Sequence, residues 1–373
     1  MTISNRYSLF WLLTLLLLFC STINLAWGCT GIQIKAKDGS IVNGRTIEFG
    51  LNLELGGVIV PRNYQFKGTL PDGTAGLVYT SKYGAVGGGM FGEAAIADGI
   101  NEKGLAIGDF YFPGYASYAK ITPDNKKKAL SPTEFSNWIL TQFATVDEVK
   151  QGLQSVVIAP TTPKGWPVLP PFHYIVYDKT GKSIVIEPIN GQLKVYDNPL
   201  GVFTNSPTFD WHMTNLANYV NLSTVNVAPI NFNGVELQQF GSGSGLHGLP
   251  GDFTPPSRFV RAAVFSSAVI PADNAELSVF RVFHLLNQFD IPIGAVRQDQ
   301  GTTMIPEYTL ATVVRDPQNL KFYFRSFDDQ TIKMVNLNSF DLNAKDIKTF
   351  TMNGAQQVMD ISKSVVTYSG NKN

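Results

Sequence analysis

The sequence predicts an α+β fold in which two stacked antiparallel sheets are flanked by helices. Three observations carry this reading. Alternating apolar residues from Ile32 to Ile47 mark a hairpin near the start, a three-strand meander is written into residues 172–198, and capped helical patterns fall between and after them.

The elements follow in chain order. The apolar block Leu9 to Phe19 comes after Arg6 and before small and polar residues, the order of a secretory signal peptide. It is too short to span a bilayer, which takes about 20 apolar residues. Ala26 and Gly28 are small residues in the A-x-G spacing of a cleavage site, so residues 1–28 are expected to leave as a leader. Cys29 then becomes the first residue of an exported protein, periplasmic or extracellular.

A lipoprotein leader is the competing reading, but it wants Leu three places before its cysteine and a small residue two places before. Those places hold Ala26 and Trp27. No other stretch is apolar enough for a membrane span. Basic and acidic residues balance at 29 each, so nothing in the charge points to nucleic acid.

Residues 29–373 show no repeat, low-complexity tract or charged linker, and one domain is expected. Ile32, Ile34 and Ala36 alternate with polar neighbours, "KDGS" supplies a turn, and Ile41 to Ile47 returns. That return brings Arg45 and Glu48 back toward Cys29. "SPTEFSNWILTQF" predicts a helix with Ser131 as N-cap, Pro132 at its first position and Glu134 closing a capping box; Thr145 and Glu148 repeat the signal.

"FHYIVYDKTGKSIVIEPINGQLKVYDN" is the meander, turning at "DKTG" and "NG". "FGSGSGLHGLPGDFTPP", residues 240–256, has neither a GKS/T ending nor a glycine fingerprint after a strand, which excludes a phosphate cradle and leaves a shaped loop beside a site. "SRFVRAAVFSSAV" and "LSVFRVFHLLNQF" complete the helices with apolar residues at helical spacing.

The chemistry begins with the cysteines. Cys20 would leave with the leader, so Cys29 stays as a single thiol with no disulfide partner. A thiol becomes a strong nucleophile only when something takes its proton. An N-terminal residue carries its own base, the free α-amine, whose unperturbed pKa of ~7.7–8.0 lies near neutrality. Cleavage before Cys29 would thus expose the nucleophile and create the base together.

The strings "CTGIQIKAKDGSIVNGRTIEFG", "INEKGLAIGDFYF", "YDNPLGVFTNSPTFDWHMTNLANY" and "GLPGDFTPPSRFVR" resemble the choloylglycine hydrolase family. These are N-terminal-nucleophile cysteine amidases that include bile salt hydrolases and penicillin V acylases. The likeness runs collinearly from Cys29 to near the C-terminus, and the loop wording looks closer to the acylases. It implies a four-layer αββα N-terminal-nucleophile fold, hydrolysis of a linear amide through an acyl-enzyme, no cofactor, no metal, and a homotetramer.

Carried over by position, the resemblance makes Cys29 the nucleophile, Arg45 the charge beside its sulfur, and Glu48 the carboxylate that anchors the α-amine. The family usually has Asp at the last of these, so the reach changes by a methylene. Asn205 matches the oxyanion asparagine, the Tyr111 backbone N–H the second oxyanion donor, and Arg258 an arginine bracing Cys29 and Glu48. Phe49, Phe110, Phe112 and Tyr115 are candidates for the wall of an apolar acyl pocket.

Plainer readings stand beside these. Arg45 is otherwise a solvated strand charge, Asn205 a turn residue before Ser206 and Pro207, and Arg258 a helix-start partner of Asp252. His173, His212, His247 and His284 show no ligand spacing, so none is expected to hold metal or to act as a papain-type base. A second function also stays open: a non-catalytic or lipid-anchored exported binding protein of the same fold.

Overall fold

A computed structural model describes residues 28–299 and 303–366. The expected leader, residues 1–27 of it, lies outside the described residues. Cys29–Lys35 and Ile41–Phe49 form the predicted hairpin, with Cys29 opposite Ile47 and Gly31 opposite Arg45. Met304–Asp316 then pairs with Ile41–Phe49, and Lys321–Ser326 and Lys333–Asn336 extend this first sheet. A β-bulge between Thr309 and Ala311 lies opposite Glu48 and Ile47, where such an irregularity re-aims side chains at the end of the ladder.

The second sheet has eight strands, and the predicted meander is one of its edges: Phe172–Tyr177, Ser183–Ile189 and Gln192–Asp197. It continues through Ala106–Tyr111, Asp98–Asn101, Ala85–Gly89, Gly56–Val60 and Lys348–Thr351. The helices Pro255–Ala268 and Ala275–Leu286 cover the outer face of the first sheet, and Glu134–Gln142 packs on the second. The order helix, sheet, sheet, helix is the αββα layering the sequence predicts.

Every residue of Ile41–Phe49 is buried, as expected of a strand covered on both faces. Because side chains alternate, Arg45 and Ile47 share one face with Cys29, while Thr46 and Glu48 share the other with Thr30. The first face looks into the gap between sheets, where Arg45 lies over the Phe110 ring. Gly31 allows this close approach: a Cβ there would meet Phe110 at 3.0 Å and Tyr177 at 3.2 Å.

Helix starts depart slightly from expectation. The helix predicted from Ser131 begins at Glu134, and Ser131 offers its backbone N–H to Glu134 Oε2 at 2.7 Å while its hydroxyl caps nothing. Half of the capping box forms, and Pro132 lies in the turn before it. At Thr145 the cap forms, its side chain accepting from the Glu148 N–H at 3.2 Å, while Glu148 Oε2 reaches one residue further back and accepts from the Ala144 N–H at 2.8 Å.

Candidate active site

Cys29 ends its strand beside a segment that the same strand recruits. Gly31 exchanges two backbone hydrogen bonds with Phe203, of 2.8 and 3.0 Å, and this brings Asn205 to the strand's N-terminal end. Asn205 Oδ1 accepts from the Cys29 nitrogen at 2.7 Å and from Arg258 Nη2 at 2.8 Å. Its Nδ2 donates to the Tyr111 carbonyl at 2.8 Å, which leaves the second hydrogen of that amide for another acceptor. Asn205 is therefore no ordinary turn residue.

Arg45 is 1% exposed, not a solvated strand charge. Its Nη2 reaches Cys29 Sγ at 2.7 Å, Nε donates to the Thr46 carbonyl at 3.1 Å, and Nη1 donates to the Asp109 carbonyl. The guanidinium carbon sits 4.0 Å above the Phe110 centroid. Behind it, Asp98 Oδ2 lies 3.9 Å from Arg45 and 2.8 Å from Arg315 Nη1, all three being buried. A buried charge needs such partners, since burial without pairing is costly.

Arg258 does not pair with Asp252. Its fork holds the Cys29 carbonyl, Thr30 Oγ1 at 2.9 Å, Asn205 Oδ1 and the Phe253 carbonyl at 2.8 Å. Asp252 instead caps its own turn, accepting from Thr254 and Ser257. The glycine-rich loop thus ends beside the site, as a shaped segment.

Glu48 lies on the opposite face from Arg45, and its Oε1 accepts from Thr309 Oγ1 at 3.1 Å. Its backbone N–H donates to the Gly28 carbonyl at 3.0 Å. Burial pushes the carboxyl up to about 8, against the pull of Arg258 and Arg45. Glu307, on the same side, is pushed up to about 7 by burial, with Arg258 and the Gly28 N–H opposing. The Cys29 thiol is also raised: burial is the larger effect, Arg45 lowers it, and Glu48 adds to the rise. In the chain that carries Gly28 the sulfur therefore holds its proton, and Arg45 alone does not release it.

The aromatic candidates divide. Phe49 is buried beside the site, with its ring 6.1 Å from Tyr111 and 5.8 Å from Trp166. Phe91 and Phe172 close on the same Trp166 at 5.3 and 5.4 Å. Phe110 and Phe112 have no accessible surface: one supports Arg45, the other stacks on His173 at 4.1 Å. Their place is the core behind the site, a correction to the expected pocket wall, and it follows from the inward turn of Ala106–Tyr111. Tyr115 is 43% exposed and stacks on Phe112.

No histidine is a hydrogen-bond partner of Cys29 among the described residues. His212 Nε2 meets the Asn205 carbonyl at 2.9 Å and His173 Nε2 the Thr204 carbonyl at 3.1 Å. Burial holds both below the ordinary range, His212 at about 4, so they brace the 204–205 segment as neutral rings. Among the described residues no group of three or more His, Cys, Asp or Glu is placed to hold a metal ion, and no helix is long and apolar enough to cross a membrane.

Sequence reasoning missed Glu307, Asp98, Arg315 and Trp166. The first has a readable signal, a carboxylate inside the apolar strand "MIPEYTLATVV". Asp98 and Arg315 meet across the two sheets, from positions 217 residues apart, and no local pattern announces that.

A model of the linear amide C–N hydrolases, choloylglycine hydrolase family, matches residues 29–350. A bile salt hydrolase/transferase of Clostridium perfringens is 34% identical over 87% of this chain and 97% of its own. A penicillin V acylase of Pectobacterium atrosepticum is 29% identical over 80% of this chain and 76% of its own. A solved variant of the conjugated bile acid hydrolase from Clostridium perfringens superposes with a TM-score of 0.80, 32% identity, and coverage of 90% of this chain and all of that one. The chain belongs to the choloylglycine hydrolase family and is a linear amide C–N hydrolase of the bile salt hydrolase and penicillin V acylase type.

Proposed function

We propose that this chain is exported, loses residues 1–28, and then hydrolyses a linear amide with a bulky apolar acyl group through an acyl-enzyme on Cys29. The observation that carries this reading is the pair of contacts at one residue: Cys29 Sγ lies 2.7 Å from Arg45 Nη2, and Cys29 N lies 2.7 Å from Asn205 Oδ1. A buried, protonated thiol needs a base; the Arg45 guanidinium beside it has no acceptor to offer, whereas the residue's own α-amine becomes one once the Gly28–Cys29 bond is cut.

The α-amine takes the thiol proton as sulfur attacks the amide carbon. Asn205 Nδ2, with the Tyr111 backbone N–H, receives the oxyanion. Collapse breaks the C–N bond, and the ammonium returns its proton to the departing amine. Water then attacks the thioester, the amine again acts as base, and the acid leaves. Arg45 stabilises the sulfur's negative charge, Glu48 anchors the ammonium, and Arg258 holds the Cys29 carbonyl and Asn205 in register.

The acyl part packs on Phe49, Tyr111, Trp166 and Phe172. Substrates in reach are glycine- or taurine-conjugated bile acids, penicillin V, N-acyl homoserine lactones and related N-acyl amides. The relatives' printed activities favour the first two. The chain forms homo-oligomers, a tetramer by resemblance; the exposed apolar arm of Val225, Ile230, Phe232, Val235 and Phe240 supports association of copies. Export places the enzyme in the periplasm or outside the cell, acting on small molecules and not on nucleic acid.

Purified processed protein is assayed with glycocholate, taurocholate and penicillin V, and quenched samples are weighed intact. Release of acid with transient acylation of Cys29 is expected. A folded protein that hydrolyses none of them returns the chain to the binding-protein reading.

A further inference from the structure

We propose that Glu307 is a positioning residue for the N-terminus, holding the Gly28 N–H before processing and the Cys29 α-ammonium after it. The inference rests on the reading above that Cys29 becomes the first residue.

Gly28 is fixed at both ends of its short length. Its carbonyl accepts from the Glu48 N–H at 3.0 Å, and its N–H donates to the Glu307 carboxylate. A Cβ on Gly28 would come within 3.0 Å of Glu307 Oε1 and 3.4 Å of Arg258 Nη2, so the glycine fills a slot that no larger residue enters unchanged. Glu307 is 7% exposed and sits two residues before Thr309, the residue opposite Glu48. Strand alternation therefore puts Glu307, Thr309 and Glu48 on one face of the sheet. Beyond Gly28 opens a cavity of about 480 Å³, walled by Pro113, Phe253, Pro255, Ile291 and Val296.

Removal of Gly28 takes away the partner of Glu307 and creates a new cation next to it. An ammonium has three N–H donors. Asn205 Oδ1 already accepts from that nitrogen, Glu48 is the second acceptor by resemblance, and Glu48 Oε2 has no hydrogen-bond partner among the described residues. Glu307 supplies the third. When the amine is neutral it donates two bonds and turns its lone pair to sulfur, so three fixed acceptors set the direction of the lone pair.

The charged groups facing Glu307 are Arg258 from the Pro255–Ala268 helix, Glu48 from the Ile41–Phe49 strand, and the new ammonium of Cys29. Around Cys29 itself stand Arg45, Glu48 and Arg258. Removing the Glu307 charge takes an anion from beside the ammonium, so the α-amine should lose its proton at lower pH. The acid limb of kcat/KM should move down with it.

The test compares full-length wild type and Glu307→Gln, both exported, with intact mass read first and pH profiles second. A wild type that does not begin at Cys29 defeats the reading beneath this inference, not the inference alone. Given a Cys29 start, an acid limb about half a pH unit or more lower in Glu307→Gln supports the role; superimposable limbs overturn it. If Glu307→Gln accumulates unprocessed, Glu307→Asp, which keeps the charge, decides: processing restored together with the wild-type limb supports the role, and a variant that stays unprocessed or regains processing without its limb overturns it. A merely structural Glu307 would lower activity without moving the limb.

Discussion

Truncation of Asn205 separates catalysis from scaffolding. Asn205 is 1% exposed, and its amide satisfies three groups: Cys29 N at 2.7 Å, Arg258 Nη2 at 2.8 Å and the Tyr111 carbonyl at 2.8 Å. In Asn205→Ala all three lose a partner, and each buried group so stranded costs about 1–3 kcal/mol, a total of about 3 kcal/mol or more. The loss of an oxyanion donor costs about 10²–10³ in kcat, or ~2.7–4 kcal/mol of transition-state stabilisation. Asn205→Asp parts the two effects, because it keeps oxygen acceptors for Cys29 N and Arg258 but cannot donate. Steady-state kinetics on penicillin V and glycocholate should show kcat down about 100-fold or more in both variants, with KM changed far less. Thermal unfolding should find Asn205→Asp closer to wild type than Asn205→Ala. A kcat for Asn205→Asp within about threefold of wild type, with Cys29 correctly exposed, would refute the oxyanion assignment.

Three further outcomes are expected. Asp98→Asn leaves Arg45 and Arg315 buried without their shared carboxylate; removing one partner of a buried pair costs about 3–5 kcal/mol, which a denaturation curve would read, and an unchanged midpoint contradicts it. His247→Ala and His284→Ala should keep full rates, and His212→Ala should keep part of its activity while melting lower; abolition of kcat in any one of them would point to a histidine base. Stability should also depend on Glu48. Its folded pKa of about 8 lies above the unfolded value of ~4.3, so its contribution is complete below pH ~4.3 and is lost as pH rises through about 8. Melting temperatures of the Gly28-bearing chain should fall across that window, and Glu48→Gln should fall less; equal slopes would contradict the assignment.

Local signals were readable where a segment decides its own conformation. The Ile32–Ile47 hairpin, the 172–198 meander and the Thr145 cap appear as written because turn chemistry and alternation act over a few residues. Ala85–Gly89 is an interior strand that no alternation announces: a Cβ on Gly87 would fall 2.2 Å from the Asp98 carbonyl, and the sheet requires the glycines that hide it. The site divides similarly. Cys29, Arg45 and Glu48 lie on one hairpin and could be paired by register, whereas Asn205 and Arg258 needed the family strings. Glu307 and Trp166 come from distant strands and loops, and only packing brings the first to Gly28 and the second to Phe49. Phe110 looked like a pocket residue because it neighbours Tyr111, but alternation along the strand turns it inward beneath Arg45.

The most direct measurement is the identity of the first residue in catalytically active, exported protein, read by intact mass and N-terminal sequencing. The account predicts Cys29 with an unblocked amine, and loss of turnover when that amine is chemically capped. Amide hydrolysis by a protein that starts elsewhere, or whose terminus is acylated, would contradict it.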